Sequence, residues 1–76
     1  MDLDTLIEQK LNEYAQKIVE AGSKVDEHAF GELMFYMALR RIISGKATMQ
    51  DAGLMDAIND TLQQLGVLEP GKAFYK

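Results

Sequence analysis

The chain contains no cysteine and no tryptophan, one proline and one histidine. Without cysteine there is no disulfide to staple the fold and no thiolate zinc site, and one histidine cannot build a histidine-rich metal centre. No apolar run reaches the ~18 residues that a bilayer crossing needs. The densest stretch, residues 29–39, has Glu32 inside it and Arg40 and Arg41 directly behind. The opening residues Met1-Asp2-Leu3-Asp4 are acidic where a secretory leader is basic, so a cytoplasmic protein that does not enter membranes is expected. Basic residues are missing altogether from Ala47 to Gly71. Gripping a phosphate backbone depends on clustered Lys and Arg, so direct nucleic-acid binding is not expected. Alternating β-branched residues and Asn-Gly or Asp-Gly hairpin turns are also absent, which leaves no signal for strands.

What remains is one short helical chain. Its 76 residues are 47% hydrophobic and 26% charged with a net charge of −4, a composition suited to a folded domain spanning 1–76. A domain of this length buries about 60% of the surface its unfolded chain exposes. Its core rarely supplies more than roughly 3–5 kcal/mol of net stability without a staple. With disulfides and cysteine-based metal sites excluded, association with a second copy or another protein is the staple left.

The hydrophobic pattern predicts an all-α fold. It is a small three-helix bundle with helices at about 3–21, 27–44 and 49–65, a short C-terminal aromatic tail and a dimeric state. In the first helix Ile7, Leu11, Tyr14, Ile18 and Ala21 recur in steps of four and three, widened by Leu3, Leu6, Ala15 and Val19. Asp2 or Asp4 can cap it, Glu13 and Lys17 form an i,i+4 pair, and Gly22 ends it. Ser23 or Asp26 can cap the second helix, Val25 is placed to pack on Phe30, and Gly45 stops it. The third begins at Thr48 with Asp51 three residues on, carries Met55, Ile58, Leu62 and Leu65, and closes at Gly66 with Val67 behind it. Phe74 and Tyr75 either fold back or stand as a recognition segment. The helices carry no motif specific to a family.

Chemistry finds little purchase, and neither a catalytic residue, a metal ligand set nor a cofactor is expected. His28 and Glu32 lie four apart, a spacing that puts two ligands on one metal, but no second cluster completes a site. Asp56 and Asp60 share a helix face beside Asn59 and Gln63. They sit on a polar side where neither should be desolvated enough to divide acid and base roles. Ser44-Gly45-Lys46-Ala47-Thr48 lacks the first glycine and the hydroxyl residue of a phosphate loop. A helix-turn-helix reading of residues 40–54 puts an acid and no base at the start of the recognition helix. Gly31 and Gly53 each cost a helix about 0.8–1 kcal/mol relative to alanine. Such a cost suits a site of close backbone approach or a local irregularity.

The second helix is the most telling segment. From Phe30 to Ile43 it is apolar on every side at 100° per residue. Phe30, Leu33, Met34 and Met37 fill one side, and Phe35, Leu39, Ile42 and Ile43 the other. Two flanking helices leave part of that circumference uncovered. The expected contact surface is Phe35, Leu39, Ile42 and Ile43 with Tyr36 as a rim. The expected function is a small non-enzymatic interaction module that self-associates as a dimer or binds another protein there. The alternative is an acidic inhibitor of the kind made by phages and mobile elements. It would use Asp51, Asp56, Asp60 and Glu69 to mimic nucleic acid and block a basic groove.

Overall fold

Asp2, Asp26 and Thr48 each open a helix by the same device. Their side-chain oxygens accept the backbone N–H three residues on, from Thr5 at 2.7 Å, Ala29 at 2.9 Å and Asp51 at 3.1 Å. Each bond satisfies one of the N–H groups that a helix start leaves without a partner. The helices so begun are α1 (Leu3–Ala21), α2 (Glu27–Ile43) and α3 (Met49–Gln64). They are seen in a computed structural model that describes residues 1–24 and 26–76. The fold is all-α, as predicted, and among the described residues there is no strand. α2 and α3 stop one residue before their predicted ends because Ser44 and Leu65 serve as caps. The expected contact of Val25 with Phe30 lies outside the described residues.

The ends of α2 and α3 are also built alike. Lys46 N–H donates to the Arg41 carbonyl at 2.8 Å and Gly45 N–H to Ile42 at 3.3 Å. Val67 and Gly66 repeat the pattern on Leu62 at 2.9 Å and Gln63 at 3.1 Å. This Schellman closure requires a left-handed residue just past the cap, which Gly45 and Gly66 supply, both at φ 75°. Lys46 N–H is thereby committed to its own helix, which is further reason against a phosphate loop here. Val67 stays largely exposed.

α2 is the spine of the molecule. α1 packs along it and buries Ile7, Leu11 and Tyr14, while α3 packs over a shorter stretch and buries Met55. Ile7, Leu11, Ala38, Leu39 and Met55 form the core. The apolar stripe of α1 fades toward its C-terminus, where Ile18 and Ala21 are half-buried and Ala15 and Val19 are exposed. α1 and α3 flank α2 without their Cα atoms coming within 8 Å of each other. The radius of gyration is therefore 14.1 Å and the longest dimension 44 Å, against about 11 Å expected for a compact chain of this length.

The C-terminal tail is docked. Phe74 N–H donates to Asn59 Oδ1 at 2.9 Å, and Gln63 Nε2 donates to the Lys72 carbonyl at 2.8 Å. The Phe74 ring stacks on Phe35 with centroids 6.2 Å apart. Phe35 meets Tyr36 edge-on at 5.1 Å, Tyr36 stacks with Tyr14 at 6.0 Å, and Tyr75 meets Phe74 at 5.1 Å. One aromatic ladder thus runs from α1 across α2 to the tail. Of the chain's three tyrosines and three phenylalanines, only Phe30 stands outside it.

Candidate functional site

The side of α2 expected to be bare is the side its own chain covers. Leu39 is 2% exposed in the core, and Phe35, Tyr36 and Ile42 are half-buried against it. Of that set only Ile43 remains exposed. The physical reason is the returning tail, which lays Phe74 on Phe35, together with Tyr14 of α1 on Tyr36. The uncovered side is the opposite one. Phe30, Met34 and Met37 are 51%, 58% and 44% exposed and lie four and three residues apart, so they form a single stripe. Leu65, the residue that caps α3 and that its spacing assigns to a packed stripe, is exposed too. A shallow apolar depression on α3 is lined by Ala57, Ile58, Thr61 and Leu62.

The acidic face is also altered, since Asp51 is not on it. Its side chain is buried, and Arg41 holds it in a bidentate grip, Nε to Oδ2 at 2.6 Å and Nη2 to Oδ1 at 2.8 Å. Oδ2 additionally accepts Thr48 N–H at 3.0 Å, which completes the capping box. These bonds favour the charged form. The Arg41 guanidinium first, then Thr48 N–H, hold the carboxyl well below the usual range, while burial opposes them. Asp51 thus ties the end of α2 to the start of α3. Asp56, Asp60 and Glu69 remain exposed. Their neighbours Asn59 and Gln63, read as members of a polar face, are the tail's anchors. The signal for Asn59 was present, because it shares the helical arc of Met55 and Leu62.

No family model matches the chain, and no curated protein or solved structure does.

His28 and Glu32 do meet, with Nδ1 and Oε1 2.7 Å apart. Glu32 also acts on Tyr14 of α1. The interaction of the two is the largest cause lowering the Glu32 pKa, and it pushes Tyr14 up to about 12. The carboxylate thus influences both a surface histidine and a seam tyrosine. Among the described residues no group of three or more His, Asp or Glu side chains is placed to hold a metal ion. Gly31 and Gly53 have open space around them, since a Cβ built on either would meet nothing within 4 Å. Among the described residues, close approach of another backbone does not account for them.

Proposed function

We propose that the protein is a small cytoplasmic interaction module that self-associates through α2. The stripe of Phe30, Met34 and Met37 is the surface it uses. The observation that carries this reading is the uncovered stripe itself, on the central helix of a chain with neither disulfide nor tryptophan to enlarge its core. Methionine is well suited to such a face because its unbranched thioether adapts to the surface it meets. A twofold pairing is the commonest closure for identical chains, and it would bring the two α2 helices together at the centre of a larger helical bundle.

Magnitudes set the strength of that pairing. Fully burying a side chain of this type contributes about 1.5–3 kcal/mol. Half of each is already covered, so six side chains from two copies offer on the order of 5–9 kcal/mol. Association costs at least ~4 kcal/mol. At the upper end of that offer the dissociation constant is about 0.2 mM, and that is the value expected. Sedimentation equilibrium from about 10 µM to 1 mM should show the mass rising toward a dimer. Met34→Glu should hold it at the monomer value with unchanged helicity. A wild-type protein that stays monomeric across that range overturns the reading.

The nucleic-acid-mimic reading loses Asp51 to the Arg41 pair and keeps Asp56, Asp60 and Glu69. Salt separates the two, because a complex of exposed charges weakens steeply with ionic strength whereas an apolar contact barely responds.

A further inference from the structure

The open face of α2 carries more order than its three apolar side chains show. Glu27, Phe30, Met34, Met37 and Arg41 follow one another in steps of three, four, three and four, the heptad spacing of a helix that pairs along one seam. The seam is acidic at its first position, basic at its last and apolar between. Glu27 and Arg41 are each seven residues from Met34, about 10.5 Å along the axis. Arg41 gives Nε and Nη2 to Asp51, and its Nη1 takes no part in that pair.

We infer that two copies pair through α2 in antiparallel fashion, with the twofold axis at Met34. The inference rests on the reading that α2 self-associates and adds the orientation and register. Antiparallel pairing sets Glu27 of each copy against Arg41 of the other, so the charge pattern complements itself. A parallel pairing would set Glu27 against Glu27 at one end and would give neither Arg41, already paired with its own Asp51, a second carboxylate at the other. The same register brings Met37 of one copy to the level of Gly31 of the other. Gly31, on α2 itself, is a position where a missing Cβ leaves space that nothing among the described residues fills.

Cysteine cross-linking of the full chain reads the register directly, since the protein has no cysteine of its own. Met34→Cys should form a disulfide-linked dimer under mild oxidation. Phe30→Cys and Met37→Cys, displaced to either side of the axis, should not. Efficient cross-linking of all three indicates a parallel pair and overturns the inference. A wild-type dimer whose Met34→Cys form does not cross-link overturns the register while leaving self-association standing. A monomeric wild type overturns both.

Two further variants test the chemistry. Glu27→Lys should weaken association about tenfold at low salt, with the difference shrinking as salt is added. An unchanged affinity counts against the Glu27–Arg41 pairing. Gly31→Ala should raise the unfolding midpoint of the monomer yet weaken association several-fold. Opposite signs in the two measurements support the approach of a second copy at Gly31, and a gain in both overturns it.

Discussion

Where α1 meets α2, the contact runs along much of both helices and rests on Ile7, Leu11 and Leu39, with the aromatic stack of Tyr14 on Tyr36 beside them. Where α3 meets α2, the packed length is shorter and specific polar contacts fix the geometry. The Arg41–Asp51 pair pins one end, and Asn59 and Gln63 hold the tail that lays Phe74 on Phe35. Apolar burial is roughly proportional to area and indifferent to direction. Bidentate pairing of guanidinium and carboxylate demands one geometry. The first junction therefore sets how stable the molecule is, and the second sets at what angle its last helix leaves.

The comparison can be broken most severely at the first junction. Ile7→Ala removes a fully buried side chain and should cost about 2–5 kcal/mol, which is comparable with the whole net stability expected for a chain of this length. Urea unfolding followed by circular dichroism should show the transition moved to near zero denaturant. A retained wild-type midpoint means that the α1 seam is not where the stability resides.

A pH series sharpens the comparison, because each junction has its own titrating group. Asp51 is held below its ordinary value of 3.8 in the folded state, so its contribution is intact above that pH and fades as acid is added. Glu32 behaves in the same sense from 4.5 downward, so acid loosens both junctions together. Tyr14 is the alkaline counterpart. Its pKa rises from 10.0 to about 12 in the fold, so between these values only the unfolded chain loses the proton. The stability it lends is complete below pH 10.0 and declines toward about 12. Absorbance titration should find a tyrosine ionising at about 12, and Tyr14→Phe should remove that step. Asp51→Asn should make the acid limb shallower, leaving the share of Glu32, with the alkaline limb unchanged.

The smallest effect is expected at Gly53, which touches neither junction. Alanine there meets nothing and should stabilise α3 by about 0.8–1 kcal/mol, read as a rise in the thermal midpoint. A loss of stability would reveal a neighbour that the open surroundings of Gly53 do not show.

Helix boundaries were legible in the sequence because their causes are local. Asp2, Asp26, Thr48, Gly45 and Gly66 act on backbone groups within a few residues of themselves. The bare side of α2 was not legible, for the opposite reason. Phe30–Met34–Met37 and Phe35–Leu39–Ile42 are equally apolar stripes of one helix. The return of a tail some forty residues further on, together with the packing of α1, decides between them. Asp51 misled in a related way. Its capping role was visible from Thr48, but its second oxygen was spoken for by Arg41, ten residues back across the turn.

Because no Cα of α1 comes within 8 Å of one of α3, the close backbone approaches between helices join neighbours in the chain. The loops to be closed before those contacts form are short, so little entropy opposes them. Folding is then expected on the microsecond-to-millisecond scale typical of helical domains rich in local contacts. The exception is the span from Phe35 to Phe74. Its closure waits until both α2 and α3 exist, which makes the tail the last piece to arrive and the first to leave.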